Sequence, residues 1–301
     1  MGSGKEISAD AAPAPLAPGL YVAATPIGNA GDVTLRLLDA LRGAGRVVCE
    51  DTRKTARLLA IHGIKARLES YHEHNAARMR PRVLGWLAAG EAVVLVSDAG
   101  TPLVSDPGYK LVRAAIEAGH RVTALPGPSS VLAALVVAGL PTDRFLFAGF
   151  LPPREAARAR AIAELAAVPA TLVFLEAPQR LAAMLASLAR ELGVREAAVA
   201  REMTKKFEEV RRGPLSDLAR HYAAAGPPRG EVVVVVGPPA AEAQTGEGDL
   251  DAALRAALET QSASRAAATV ARELGLPRKR AYARAVALSA GGAAGGDEGA
   301  A

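Results

Sequence analysis

The sequence predicts an α/β protein: two α/β domains with a cleft between them, followed by a small helical module of helix-turn-helix type. Three observations predict it. Short apolar runs alternate with amphipathic stretches across residues 19–237. Gly, Pro, Asn and Asp punctuate the junctions. After residue 250 the β-type runs stop and an Ala- and Arg-rich helical periodicity takes over. Apolar strands separated by helices require a mainly parallel sheet covered on both faces.

Residues 1–18 are rich in Ser, Ala and Pro without periodicity, and are expected to be a disordered tail. Gly2-Ser3-Gly4-Lys5 is no phosphate-binding loop, because no strand precedes it. The first domain, 19–126, should hold strands at 20–24, 46–49, 92–97 and 121–125, each β-branched or apolar and flanked by turns. Helices fit 34–41, 55–61, 75–89 and 106–118. Thr34 and Asp106 are suitable N-caps, the second with Pro107 at the first helical position. Pro126-Gly127-Pro128 can continue neither strand nor helix and divides the domains. The second domain, 127–237, should hold strands at 145–148, 171–176, 197–200 and 231–236. Its helices fit 130–138, 156–167, 180–192 and 215–224. The five valines at 232–236 read as a central strand buried on both faces. Residues 238–249 are a linker. Residues 250–289 form the helical module, with a Gly275-Leu276-Pro277 turn between two short helices. Residues 290–301 are a second tail.

The chain has 301 residues, 50% hydrophobic and 22% charged, which is a globular balance. Aromatics are only 4%, so the core must rest on many small contacts. Trp86, between Leu84 and Leu87, is expected to pack. Cys49 is the single cysteine; it excludes an intrachain disulfide, fits a reducing compartment and should be a small buried hydrophobe. No apolar leader and no membrane-length apolar run appears, so the expected location is the cytoplasm. The net charge of +5 favours polyanionic partners only weakly. Its distribution is more informative. The helical module carries seven Lys/Arg against three acids.

Three loops carry the chemistry. The first strand runs into Thr25-Pro26-Ile27-Gly28-Asn29, a turn at the sheet edge where α/β folds place ligands. Its glycines do not spell the dinucleotide fingerprint, which disfavours a nicotinamide site. The second loop, Ser97-Asp98-Ala99-Gly100-Thr101-Pro102-Leu103-Val104-Ser105-Asp106-Pro107-Gly108, combines carboxylates, glycines and prolines. Glycines admit close backbone approach and prolines hold the loop shape. The third is Pro126-Gly127-Pro128-Ser129-Ser130, whose hydroxyls either cap a helix or face a ligand. His72 and His74 flank Glu73, but no third ligand has suitable spacing, so no metal is expected.

At these loops the chain resembles the tetrapyrrole methylase superfamily, the class III S-adenosylmethionine methyltransferases. Glu50-Asp51-Thr52-Arg53, Ser70-Tyr71-His72-Glu73-His74-Asn75, Arg201-Glu202-Met203-Thr204-Lys205-Lys206-Phe207-Glu208 and Gly230-Glu231 are similar to its ribosomal RNA small-subunit methyltransferase I group. Met203 stands where Leu is more usual, a near-isosteric change. The resemblance implies a homodimer that binds S-adenosylmethionine between two α/β domains. It implies methylation of a cytidine ribose 2′-hydroxyl in the decoding region of 16S rRNA, within the small ribosomal subunit. It implies cofactor contacts at Pro26, Gly28, Asp98, Gly100, Ser105, Asp106, Ser129 and Ser130. Glu50, Asp51, Arg53, Arg201, Glu202 and Lys205 are the catalytic candidates: a carboxylate as proton acceptor, and Lys205 as electrostatic stabiliser or, if desolvated, as base. Lys206, Arg211, Arg212, Arg278, Lys279 and Arg280 are candidate RNA contacts, with plain surface charge as the alternative. Two other functions stay open on the residues alone: methylation of a tetrapyrrole, and non-catalytic RNA binding.

Overall fold

A computed structural model of the protein describes residues 16–104, 108–239, 247–274 and 278–291. Most of both expected tails, residues 240–246 of the linker, the Ser105-Asp106-Pro107 segment and the Gly275-Leu276-Pro277 turn lie outside the described residues. The chain separates into two compact units after Pro238.

The first unit contains two five-stranded sheets. One is formed by β1 (Gly19–Ala23), β2 (Arg46–Cys49), β3 (Leu68–Ser70), β4 (Ala92–Val96) and β5 (Val122–Leu125). Its order is β3-β2-β4-β1-β5 and every pairing is parallel. Side chains alternate between its faces as strand geometry requires. Tyr21, Ala23, Val47, Cys49 and Val94 pack with Leu37 and Leu41 of α1 (Leu35–Gly43) and Leu59 of α2 (Thr52–Ile61). Leu20, Val48, Val93 and Leu95 pack with Met79 and Val83 of α3 (Ala76–Ala88) and Leu111 of α4 (Tyr109–Glu117). The sheet is thus covered on both faces, as expected. Cys49 is fully buried, and burial pushes its thiol pKa up. Trp86 packs against the second cluster, with the Arg46 guanidinium 4.2 Å from its ring centroid.

The second sheet follows α5 (Ser130–Val137) and differs in direction. Its strands are β6 (Phe145–Phe150), β7 (Thr171–Glu176), β8 (Glu196–Arg201), β9 (Glu209–Pro214) and β10 (Val232–Val236), in the order β6-β7-β10-β8-β9. Only β6 and β7 are parallel; the other three pairings are antiparallel. The valine run is its central strand and is buried throughout. One face packs under α6 (Glu155–Leu165), α7 (Leu181–Leu192) and α8 (Leu215–Ala225) through Leu172, Phe174, Val199 and Val234. The other face, with Val173, Ala198 and Val235, takes Val131 and Leu135 of α5 and Ile27 from the loop after β1. Ile27 therefore ties the first sheet's edge into the second sheet's core.

Among its described residues the second unit has three helices, α9 (Glu247–Leu258), α10 (Ala263–Glu273) and α11 (Arg278–Gly291), around Leu250, Leu254, Val270, Ala281 and Ala285. Arg284 makes a bidentate pair with Asp251 at 2.6 and 2.7 Å, joining α11 to α9. Among the described residues no helix is long and apolar enough to cross a membrane.

Candidate active site

In the first sheet β4 lies between β1 and β2, so the chain reverses direction across the sheet at the β1–β4 pair. The crevice outside the carboxyl ends of such strands is where open α/β sheets bind ligands. The loops after β1 and β4 meet there. Thr25 and Gly100 exchange backbone hydrogen bonds at 2.9 and 3.0 Å, and the Thr25 hydroxyl donates to the Ser97 carbonyl. Gly100 holds φ +78°, a conformation natural to glycine. The Thr101 hydroxyl donates to the Pro128 carbonyl at 3.1 Å, fastening this loop to the turn after β5. The three loops singled out in the sequence therefore converge.

Between the sheets they border a cavity of about 460 Å³, lined by Ile27, Asp98, Ala99, Ser130, Glu176 and Glu231 among others. That size suits a nucleoside-sized ligand. Ala99, Ser130 and Ala177 line it beside the carboxylate residues Asp98, Glu176 and Glu231, an acceptor-rich set that fits a hydroxylated cation such as a sulfonium nucleoside. Glu176 is fully buried at the end of β7, where Arg180 lies 3.0 Å away and the Ala177 amide donates to it at 2.8 Å. Asp98 is already engaged on both oxygens: the Asp51 amide donates to Oδ1 at 2.9 Å and Lys54 to Oδ2 at 2.7 Å. It is a fixed carboxylate at the cavity wall.

At the rim sits an ionic cluster from the second sheet. Lys205 Nζ donates to Glu202 at 2.7 Å and to Glu231 at 2.9 Å, and the Glu231 amide donates to Glu202 at 3.1 Å. Burial opposes the charge on Lys205, but the two carboxylates outweigh it and raise its pKa. Lys205 holds Glu202 below the usual carboxylate range. The cluster reaches the first sheet: a Cβ on Gly28 would sit 2.4 Å from Lys205 Cγ, and the Asn29 amide donates to the Thr204 hydroxyl. Among the described residues, the three non-glycine positions with positive φ are Leu103, Glu202 and Thr204. All three lie in these loops, and such strain gathers where structure is held for function.

The remaining expected residues fall as follows. Pro26 and Gly28 border a smaller hollow of about 160 Å³ with Lys54, Thr55 and Asp98. Ser129 caps α5, accepting from the Leu132 amide, so its hydroxyl has the capping role. Asp51 caps α2 and binds the exposed Arg53 at 2.7 and 3.0 Å, which lowers its pKa and leaves it a poor proton acceptor. Among the described residues, the Glu50 side chain makes no hydrogen bond or ion pair. Arg201 binds Glu209 at 2.8 Å and the Arg229 carbonyl at 3.2 Å, away from the cavity lining. Lys205 is partly desolvated, yet its Glu202 and Glu231 partners raise its pKa, which favours the electrostatic reading over the base. Arg212 donates to the Val137 carbonyl at the end of α5, a capping contact. Arg211 pairs with Glu209, while Lys206 and the module's Arg278, Lys279 and Arg280 are exposed. Ser105 and Asp106 lie outside the described residues. Lys54, Glu176 and Arg180 were not anticipated as site groups, because each is a single charge near an element end, and Glu231 was noted only within the Gly230-Glu231 match, without a role. Among the described residues no three His, Cys, Asp or Glu side chains gather as a metal site.

Comparisons with known proteins bear directly on this arrangement. The profile of the Tetrapyrrole (Corrin/Porphyrin) Methylases matches residues 19–219, and that of the RsmI C-terminal HTH domain matches residues 244–289. A Mesorhizobium japonicum protein named Ribosomal RNA small subunit methyltransferase I is 51% identical over 91% of this chain and 93% of its own. One of the same name from Erythrobacter litoralis is 50% identical over 91% and 96%. Among solved structures, uroporphyrin-III C-methyl transferase from Thermus thermophilus, complexed with S-adenyl homocysteine, aligns with TM-score 0.53 at 22% identity, covering 73% of this chain and 97% of that one. Diphthine synthase aligns with TM-score 0.56 at 18% identity, over 72% and 89%. These two share the fold. The chain belongs to the tetrapyrrole (corrin/porphyrin) methylase family and, within it, to the ribosomal RNA small subunit methyltransferase I group.

Proposed function

We propose that this protein transfers a methyl group from S-adenosylmethionine to the ribose 2′-hydroxyl of a cytidine in the decoding region of 16S rRNA, acting on the small ribosomal subunit. The observation that carries the reading is the inter-sheet cavity with the Lys205 cluster at its rim, in a chain half identical to proteins named for rRNA methylation.

A methylsulfonium supplies an electrophilic methyl that needs no further activation. The protein's task is placement. The walls at Ala99, Ser130 and Ala177 hold the nucleoside, and fixed carboxylates at Asp98 and Glu176 favour its positive charge. The Lys205 ammonium lies where the attacking hydroxyl enters and stabilises its oxygen as the proton leaves. The hydroxyl grows acidic only as the new bond forms, so a weak acceptor suffices, and Glu231, largely exposed at the cluster's edge, is the best placed. Action on the ribosome sets the protein in the cytoplasm. Leu132, Val136, Phe145 and Phe150 stay 43–72% exposed and offer apolar area for a homodimer.

The test is transfer of labelled methyl to purified small subunits, free rRNA and uroporphyrinogen. Label is expected in subunit rRNA, at a nuclease-resistant ribose-methylated cytidine. Label only in the tetrapyrrole rejects the reading; so does label on a base.

A further inference from the structure

A second hollow, of about 490 Å³, lies on the far side of the 229–231 segment from the cavity. Arg201, Phe207, Arg211, His221, Tyr222 and Arg229 line it. The segment is the shared wall: Arg229 faces the hollow, while Gly230 and Glu231 face the cavity. Three arginines oppose one carboxylate, Glu209, which Arg201 and Arg211 already bind. Among the described residues the Arg229 guanidinium makes no hydrogen bond or ion pair. Phe207 is 65% exposed, with Lys206 Nζ 5.6 Å from its ring centroid. Tyr222 is 4% exposed, and its buried hydroxyl makes no hydrogen bond of normal geometry, although Arg211 lies beside it.

An exposed aromatic face, a cation over it and unneutralised guanidinium charge are what a single-stranded polynucleotide recognises: stacking for a base, charge for a phosphate. We infer that this hollow holds a nucleotide neighbouring the methylated one, its base stacked on Phe207 and its phosphate met by Arg229, taking the rRNA substrate proposed above as given. A strand lying across the 229–231 wall would bring the methylated nucleotide to the Lys205 cluster at the cavity rim and its neighbour into the hollow. Arg201, tied to the Arg229 carbonyl, sets the wall's position and belongs to this subsite rather than to the methyl-transfer centre.

Phe207→Ala and Arg229→Ala in the full-length chain test this. Neither side chain is needed for packing. Each is expected to weaken binding of a short fluorescent oligoribonucleotide roughly tenfold. Each should also raise KM for small subunits roughly tenfold with kcat within about twofold, leaving S-adenosylmethionine binding by calorimetry unchanged. Phe207→Trp should restore binding. Arg229→Ala should also lower the slope of affinity against salt by about one phosphate contact. Unchanged oligoribonucleotide binding in both variants, or equal displacement by RNA and polyglutamate, overturns the inference. Wild-type protein that binds the oligoribonucleotide through Phe207 yet methylates no rRNA upholds the subsite and overturns the proposed reaction instead.

Discussion

Lys205 sets one ammonium between two carboxylate partners at the cavity rim. Its pKa is raised, so its charge is complete below the ordinary lysine value of about 10.4 and disappears only as pH climbs through the raised one. The alkaline limb of kcat should therefore stay flat to about pH 10. A fall centred near pH 8 would mean that a neutral amine is present and that the electrostatic role is wrong. Lys205→Met should cut kcat about a hundredfold, the scale of losing one charged stabiliser, with little change in cofactor affinity by calorimetry. Gly28 tests the same group from the opposite wall. An added Cβ would meet Lys205 Cγ at 2.4 Å, so Gly28→Ala must push the lysine stem aside. Activity is expected to fall at least tenfold, as misplacement of a reacting group does, and the melting temperature to fall with it, because the obstacle is the stem of a side chain held by two carboxylates. Full activity in Gly28→Ala would show that the lysine's position is not critical.

Helix starts carry the next prediction, because one candidate residue does structural work there. Asp51 accepts from the Arg53 amide at the start of α2, and Asn caps helices as well as Asp. Asp51→Asn should keep activity within about twofold; a loss of two orders of magnitude would return Asp51 to the chemistry. Thr34 caps α1 through the Leu37 amide, and Thr34→Ala should cost about 1 kcal/mol in urea unfolding. The Asp51 cap was not legible, since the helix was expected only from residue 55; the Thr34 cap announces itself by a polar residue before an apolar period, and the apolar strands by their β-branched runs. β3 and β9 do not. β3 is three half-buried residues, Leu68-Glu69-Ser70. β9 reads Glu-Val-Arg-Arg-Gly-Pro and has no apolar alternation, since it is an edge strand whose partner β8 supplies the pairing. Strand direction was equally hidden. A helix after each strand fits a parallel crossover, yet β10 enters between β7 and β8 antiparallel to both. In the site, loops dense in Gly, Pro and Asp were legible because composition betrays them. Glu176 and Lys54 were not, because a lone charge at an element end acquires meaning only when another segment closes on it.

At the scale of the whole chain, the charge distribution bears on how the proposed rRNA substrate would be captured. The first unit contains both sheets and the cavity; the second is a three-helix body with its own apolar centre. Arg284 is committed to Asp251 and so belongs to the architecture of that body. Arg278, Lys279 and Arg280 occupy the first turn of α11, all exposed. Cations at a helix N-terminus oppose the helix dipole, so three in succession there are unfavourable for the helix alone, and an RNA-phosphate role for them predicts a definite outcome of their removal. Replacing all three with Ala should therefore leave the module folded, with a melting temperature unchanged or slightly higher. Affinity for small subunits should fall, and the slope of log affinity against log salt should shrink by about 2 to 3, the number of phosphates released scaled by counterion condensation. Methyl transfer at saturating subunit should persist, because the cavity groups are untouched. An unchanged slope would make this turn a solvated surface and leave RNA capture to the residues around the cavity alone.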